Sequence, residues 1–228
     1  MKPTDHLTLS ALRDACREYR DSTNYDLSLR TLRNSTARGG LSLEDRKHRL
    51  ALLTWLNAWN CRQFKKEYHG EASQELLEWG RKWVASLPQQ HQHLTHLSDR
   101  ELTLSARAYG DLSGRRACLR ERAGQQVPVT FGPTGAAKIL YALRPEVFPP
   151  WDTSIRHGLG FDGSWGSYRR FLVCVKARIE EVFADAERLG LQAHEIPAEV
   201  GREEMSLPKL IDEFHWVTLT AGYQPPRN

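Results

Sequence analysis

Long apolar runs are missing from this 228-residue sequence, and their absence argues against a membrane-spanning protein. The mean hydropathy of -0.57 fits a chain whose apolar residues are dispersed among charged ones. The N-terminal stretch MKPTDHLTLS carries charges where a secretory signal peptide needs an apolar core. We therefore expect neither membrane insertion nor secretion, and we expect the protein to work in the cytoplasm.

Cysteine is scarce, and its four copies lie far apart in the chain, at Cys16, Cys61, Cys118 and Cys174. No two of them form a C-x-x-C pair, so the sequence lacks both the usual spacing of a structural zinc site and a dense disulfide framework. We expect four reduced thiols, as in a cytoplasmic protein.

Three histidines, His91, His93 and His96, lie in the polar segment PQQHQHLTHLS and invite a metal-site interpretation. Their spacings of two and three residues would not gather them on one face of a helix. Because zinc ligands need a defined scaffold, we favour a solvated connector here. The sequence thus predicts no metal and no cofactor.

Internal repeats and strand-like alternation are also absent, and helical periodicity dominates from one end of the chain to the other. The segment from Ser42 to about His69 predicts a central helix, whose buried stripe is Leu52, Trp55, Leu56 and Trp59. Further helices are predicted over residues 73–86, 100–109, 111–122 and 206–221, with a connector over 124–133. The predicted fold class is all-α.

Positive charge is unevenly distributed along the chain. The formal net charge is only +4, but residues 107–178 contain twelve basic and five acidic residues, a local balance of +7. A basic concentration of this kind can dock a phosphate backbone. A solvated basic surface is the alternative interpretation.

The segment from Val129 to Phe161, VTFGPTGAAKILYALRPEVFPPWDTSIRHGLGF, has the most informative pattern. Its glycines and proline predict a tight turn, and Ala136 is predicted to begin a helix with free backbone N–H groups that favour a phosphate oxygen. Small side chains there would let a DNA backbone approach. The predicted backbone-binding residues are Gly132, Thr134, Gly135, Ala136 and Ala137.

Asp152 follows Pro149, Pro150 and Trp151 and stands directly before another helical segment. Its position predicts an N-cap, which is a purely structural role. A carboxylate at a helix N-terminus is also held ionised, because the helix dipole and the amide hydrogen bonds favour the anion. A fixed anion is what a reaction through a cationic sugar needs.

The hairpin, the Gly/Pro-rich loop and the Asp-headed helix together resemble the helix-hairpin-helix DNA glycosylase superfamily. The segment KILYALRPEVFPPWD is most similar to the bacterial and archaeal branch related to 8-oxoguanine glycosylases. The resemblance implies a two-lobed helical fold with the active site between an N-terminal lobe (1–124) and a catalytic lobe (125–228). It implies a monomer that acts on double-stranded DNA at the nucleoid.

The activity implied by the resemblance is hydrolysis of the N-glycosidic bond of a damaged or modified base that has been flipped out of the duplex. Asp152 would stabilise the oxocarbenium character of the sugar. Such an enzyme would serve DNA repair, or defence against viral DNA that carries modified bases.

The sequence departs from the family pattern at the lysine that makes some members bifunctional. The position two residues after the last hairpin glycine is Ala137, whereas those members have a nucleophilic lysine there. Lys138 is adjacent, but one residue rotates a helical side chain by about 100°. We therefore predict a monofunctional glycosylase, with Lys138 as a second catalytic candidate, a phosphate contact or a surface lysine.

Candidate base contacts come from the tryptophans and from one polar position. Trp216 lies about 180° around its predicted helix from Leu207, so it either stacks on a flipped base or packs in a second apolar seam. Trp151 is a candidate through its position next to Asp152. Asn60 and Arg62 would supply polar contacts to a base.

Arg156, one turn into the helix opened by Asp152, is expected to contact or position a phosphate. Two other functions remain open from the sequence. A non-catalytic helix-hairpin-helix DNA-binding module would need the hairpin and the basic charge but not Asp152. An unrelated helical interaction protein would show no DNA affinity at low salt.

Overall fold

The computed structural model describes residues 6–36 and 40–220 of the chain. These residues form ten α-helices and one β-hairpin, joined by short 3₁₀ turns. The elements are α1 (Leu9–Ser22), α2 (Tyr25–Ser35), α3 (Arg46–Ala58), α4 (His69–Trp83), α5 (Asp99–Gly114), β1 (Arg116–Arg122), β2 (Gln125–Thr130), α6 (Gly132–Leu143), α7 (Thr153–Gly158), α8 (Trp165–Arg188), α9 (Ile196–Glu199) and α10 (Leu207–Leu219). The fold is mostly helical, which is compatible with the predicted all-α class apart from the hairpin.

The β-hairpin corrects the predicted helix over 111–122 and the predicted connector over 124–133. Helix α5 ends at Gly114, and β1 then pairs with β2 in antiparallel register. The hairpin turns at Ala123 and Gly124, whose φ angles are 51° and 75°. Left-handed conformations at both turn residues are the geometry that matches the twist of a two-stranded hairpin.

Helix α3 contains Leu52, Trp55 and Leu56 of the predicted stripe, with Trp59 at its C-cap, and is shorter than predicted. It begins after Asp45, whose side chain accepts a hydrogen bond from the Lys47 amide at 2.7 Å. It ends because Asn60 adopts a left-handed φ of 60° and the Cys61 amide bonds back to the Leu56 carbonyl at 2.9 Å. Asn is one of the few residues that tolerate this helix-ending conformation. The turn carries Asn60 away from the stripe.

Helix α6 begins four residues earlier than predicted. Gly132 has a φ of 67°, and Pro133 occupies the first turn, where a missing N–H has no intrahelical partner to lose. The tight turn suggested by the sequence is therefore the first turn of the helix itself. The residues Ile139, Leu140 and Leu143 are buried, as their spacing predicts.

One continuous hydrophobic core joins the two halves of the chain. Helix α1 packs on α10, and α5 packs on both α6 and α8. The predicted boundary between residues 124 and 125 lies at the turn of the hairpin, whose strands are hydrogen-bonded across it. Among the described residues, no helix is both long and apolar enough to cross a membrane.

Candidate functional site

The candidate site is a cavity of ≈ 550 Å³ at the meeting point of several helix ends. This volume lies within the range of small-molecule binding sites. The end of α1, the start of α2 and the end of α3 form one part of its wall, and the starts of α6 and α7 together with α10 form the rest. Its lining includes Tyr19, Tyr25, Trp59, Asn60, Gln63, Gly132, Pro133, Thr134, Lys138, Asp152, Arg156, Asp212 and Trp216.

Asp152 lies in the cavity wall and caps α7, as its position in the sequence predicts. Its Oδ1 accepts a hydrogen bond from the Ile155 amide at 2.8 Å. This bond orients the carboxylate at the start of the helix. No side chain or amide of the described residues donates to Oδ2, and the side chain is partly exposed. The carboxylate can therefore face a bound molecule with one oxygen.

Aromatic side chains form much of the remaining wall. Trp216 is partly buried and contacts Tyr19 edge-on, with 5.4 Å between the ring centroids. Phe214 and Leu210 of the same helix are buried in the core, whereas Trp216 is only partly buried and packs against it. It also contributes to the cavity lining rather than only to a second buried seam.

Trp59 is an aromatic wall residue for which the sequence favoured core packing over a base contact. It is 4% exposed and stacks on Tyr141 at 6.0 Å between ring centroids. Its indole Nε1 donates to Ser28 Oγ at 2.9 Å, which fixes the ring in place. A side chain can belong to a helix stripe and still present an edge to a cavity where the helix ends.

Lys138 reaches the same cavity wall, but its ammonium is already engaged. Its Nζ donates to the Trp59 carbonyl at 2.6 Å and lies 5.3 Å from the centroid of the Trp59 ring. The carbonyl is one of those left open at the end of α3, where a cation is favoured. This geometry gives Lys138 a defined structural role at the α3 terminus.

Asp212 and Lys209 form a buried charge pair that the sequence did not reveal. Lys209 is 0% exposed and donates to Asp212 Oδ2 at 2.7 Å, while Asp212 itself is 7% exposed and lines the cavity. The Lys209 ammonium also lies 4.1 Å from the centroid of the Tyr19 ring. In the sequence, a Lys and an Asp three residues apart look like an ordinary surface pair of a helix.

Further charges extend this pair into a buried network. Glu213 Oε1 lies 3.4 Å from the Lys209 ammonium and 2.6 Å from Arg202 Nη2. Arg202 also donates to both carboxylate oxygens of Asp26, at 2.5 and 3.1 Å. Two cations, Lys209 and Arg202, therefore contact three carboxylates in this network.

Burial raises the pKa of Asp212 to about 6, although Lys209 opposes the shift. The charge of Asp152, which lines the same cavity, raises the pKa of Asp212 further. Burial disfavours the Lys209 ammonium, but Asp212, Tyr19 and Glu213 outweigh it and raise the pKa of Lys209 well above its ordinary value. Lys209 is thus held as a cation.

The structure brings eight of the residues selected from the sequence to one cavity. They are Asn60, Gly132, Thr134, Lys138, Trp151, Asp152, Arg156 and Trp216. The sequence did not single out Tyr19, Tyr25, Gln63 and Asp212, which complete the wall. In the sequence, only the candidate tryptophans Trp151 and Trp216 pointed to an aromatic lining.

Three predicted backbone contacts need correction, because Gly135, Ala136 and Ala137 are buried and do not face solvent. Since α6 begins at Gly132, these residues lie in its first two turns, where they are buried in the core. A Cβ added to Gly135 would come within 3.0 Å of Phe64 Cζ. The small side chains serve close packing between α6 and the segment after α3.

Trp151 also needs correction as a base contact. Its side chain is 0% exposed and stacks on Phe171 at 4.7 Å between ring centroids. Its Nε1 donates to the Pro133 carbonyl at 3.3 Å. Trp151 therefore supports the cavity wall from the core and has no free face for stacking.

The basic charges of residues 107–178 are partly neutralised by the fold. Arg115 pairs with Glu75, Arg116 with Glu71 and Arg169 with Asp99, at 3.0 to 3.2 Å. Arg156 stays at the cavity, where its Nη1 donates to the Asp162 carbonyl at 3.2 Å. The local surplus of charge is therefore smaller at the surface than the sequence suggests.

The histidines of the segment 88–98 lie in and beside a 3₁₀ turn, Leu94–His96. His93 and His96 contact each other edge-on, and His93 lies 3.6 Å from Glu146. Over residues 6–36 and 40–220, no group of three His, Cys, Asp or Glu side chains could hold a metal ion.

In comparisons with known proteins, the chain matches no family model, no curated protein and no solved structure.

Proposed function

We propose that this protein is a monofunctional DNA glycosylase of the helix-hairpin-helix type. The proposal rests on one observation: Asp152, with a free carboxylate oxygen, shares a cavity of ≈ 550 Å³ with the aromatic side chains of Trp59 and Trp216. A flipped base can stack on a partly exposed ring such as that of Trp216, and its sugar needs a fixed anion nearby. The substrate is a damaged or modified base in double-stranded DNA.

In the proposed reaction, the N-glycosidic bond breaks and C1′ of the sugar develops positive charge. The Asp152 carboxylate stabilises this charge and orients a water molecule. The water oxygen bonds to C1′, the departing base takes up a proton, and an abasic site remains. The hydrogen bond from the Ile155 amide holds Asp152 in place throughout.

Asp212 supplies a polar contact in the cavity wall. At neutral pH its carboxylate is mainly ionised, since its pKa is raised only to about 6. An ionised carboxylate only accepts hydrogen bonds, so it would receive one from an N–H group of the bound base. Lys209 holds it in orientation through the contact at 2.7 Å.

The absence of a lyase step follows from two positions on α6. Ala137 occupies the site at which bifunctional relatives carry the nucleophilic lysine, and Lys138 is engaged with the Trp59 carbonyl. We further propose that the helices form the two lobes of the family fold with the cavity between them. The protein would act as a monomer on DNA of the cytoplasmic nucleoid, in repair or in antiviral defence.

The substitution Asp152→Asn tests this function, because Asn is also a good helix N-cap and keeps α7 intact. Duplexes carrying oxidised, alkylated or hypermodified bases are incubated with the protein and then treated with alkali to reveal abasic sites. We expect excision to fall by at least about 100-fold, with DNA binding retained. Asp45→Asn, the same change at the α3 N-cap outside the cavity lining, is the control and should keep full activity.

Two results would contradict the proposal. Equal excision by the wild type and Asp152→Asn on a cognate duplex would remove Asp152 from the mechanism. DNA binding without excision from any of the duplexes would favour a non-catalytic helix-hairpin-helix DNA-binding module.

A further inference from the structure

The β1–β2 hairpin projects from the helical body without being covered by it. Residues 120–128 are exposed throughout, on both strands and at the turn between them. Only the inner part of β1, at Ala117 and Cys118, is buried. A two-stranded hairpin gains little stability by itself, so this outer half contributes little to the core. Its side chains are free to meet a partner.

One face of the hairpin carries its positive charge. Side chains alternate along a strand, so Arg120 and Arg122 share a face, and Glu121 lies on the other. The 3₁₀ turn Lys66–Tyr68 contacts β1, so the segment 62–66 borders the hairpin. We call Arg62, Lys65, Lys66, Arg120 and Arg122 the basic hairpin surface.

The charges of this surface are largely uncompensated. Within the described residues, Arg62, Lys66, Arg120 and Arg122 form no ion pair, whereas Lys65 lies 3.6 Å from Glu67. Arg116, at the base of the same hairpin, is neutralised by Glu71 at 3.2 Å. Four cations without an ion pair among the described residues thus lie on the outer hairpin and on the segment after α3.

This surface continues into the wall of the candidate site. Arg62 stands between Cys61 and Gln63, which both line the cavity. Gln63 Nε2 donates to the Phe131 carbonyl at 2.7 Å, and Phe131 links β2 to the cavity residue Gly132. A strand of DNA whose nucleotide enters the cavity would have its neighbouring phosphates close to these cations.

We propose that the basic hairpin surface binds the phosphate backbone of duplex DNA beside the flipped nucleotide, an assignment of partner that rests on the proposed function. Long cations on an exposed strand suit phosphate oxygens, because their contacts need no base identity. The surface would supply affinity and position, and the cavity would select the base. Binding through it depends on salt, because each contacted phosphate releases counterions.

The test compares full-length wild type with the double variant Arg120→Glu/Arg122→Glu. The probe is a short duplex carrying a tetrahydrofuran abasic-site analogue, and the dissociation constant is measured over a series of salt concentrations. We expect the variant to bind at least about tenfold more weakly at ~0.1 M salt and to lose about 0.9 from the log–log salt slope per lost phosphate contact. Because both side chains are exposed, the thermal midpoint should not change.

The control is Arg100→Glu/Arg188→Glu, which makes the same change of charge on two other exposed arginines. Arg100 is in the first turn of α5, and this helix of 16 residues leads to the hairpin at its other end. The far end of α5 is about 24 Å from its start. This variant should bind the duplex almost as well as the wild type does.

The outcomes separate this inference from the proposed function. If the hairpin variant binds like the wild type with the same salt slope, the inference is wrong, even where the wild type excises a base. If the hairpin variant loses affinity and the control does not, the surface binds DNA, whether or not any duplex is excised. An equal loss in both variants would show only a general effect of net charge and would also overturn the inference.

Discussion

At the residue scale, Asp212 and Lys209 show how packing changes the chemistry of an ordinary helix pair. The two side chains are three positions apart on α10, and on an exposed helix such a pair contributes only a few tenths of a kcal/mol. Here the packing of α1 against α10 removes both from water. The desolvation that follows is the physical reason for the raised pKa of Asp212.

The substitution Asp212→Asn should change the pH dependence of stability. The pKa of Asp212 in the folded protein is about 6, above its ordinary value of 3.8, so its carboxyl stabilises the fold at low pH. This contribution is present below about pH 4 and is lost as the pH rises through about 6. The free energy of unfolding of the wild type, relative to Asp212→Asn, should therefore fall over this range in urea titrations at successive pH values.

Asp162→Asn provides a control of opposite sign. Hydrogen bonds from the Ser167 hydroxyl and the Ser164 amide lower the pKa of Asp162, so its contribution appears above its ordinary pKa and is lost as the pH falls. A stability difference between the wild type and Asp212→Asn that did not vary with pH would mean that Asp212 titrates normally. The description of Asp212 as a buried cavity residue with a raised pKa would then be wrong.

At the element scale, the loop between α7 and α8 links the cavity wall to the core. Gly160 and Gly163 both adopt left-handed conformations, with φ angles of 75° and 88°. They differ in their surroundings, because a Cβ at Gly163 would lie 2.8 Å from Pro133 Cγ, while nothing lies within 4 Å at Gly160. Pro133 belongs to the cavity lining. The loop therefore sets the position of the start of α6.

Replacing each glycine by alanine separates backbone strain from steric contact. Gly160→Ala should destabilise the protein by roughly 1 kcal/mol, the cost of placing a side chain in the left-handed region. Gly163→Ala should be more destabilising and should also weaken excision, because Pro133 must move. Urea denaturation and the excision assay measure the two effects. Equal losses of stability, with unchanged excision, would contradict a role of this loop in positioning the cavity wall.

At the scale of the whole molecule, Arg202 ties the N-terminal helices to the C-terminal one. It bonds Asp26 of α2 and Glu213 of α10, positions distant in sequence. The guanidinium of Arg202 is almost fully buried, so water cannot replace its contacts with the two carboxylates. Removing one partner of a buried ion pair leaves an uncompensated charge, which is strongly destabilising.

Arg202→Met should therefore lower the free energy of unfolding by about 3–5 kcal/mol. The matched control is Arg30→Met, which breaks the exposed pair between Arg30 and Glu204, whose atoms lie 3.6 Å apart. An exposed pair contributes less than about 1 kcal/mol, so this variant should remain close to the wild type. Equilibrium denaturation in urea compares them. Similar losses for both variants would mean that the Arg202 network is not a major contribution to stability.

The features that local physics controls could be predicted from the sequence. The mainly helical fold, the stripe of α3 and the cap formed by Asp152 all depend on residues within a few positions of each other. The β-hairpin could not be predicted in this way. Its outer half is exposed on both faces, so it lacks the apolar alternation by which a strand is recognised.

Long-range packing decided the composition of the candidate site. Trp151 and Trp216 were equivalent candidates in the sequence, but the core encloses the ring of Trp151 and leaves Trp216 beside the cavity. Likewise, Asp212 becomes a cavity residue only because α1 covers α10. Capping and helical periodicity act between near neighbours, so they can be recognised from the order of residues in the sequence. Burial, and the charge state that depends on it, arises from segments that meet only when the chain has folded.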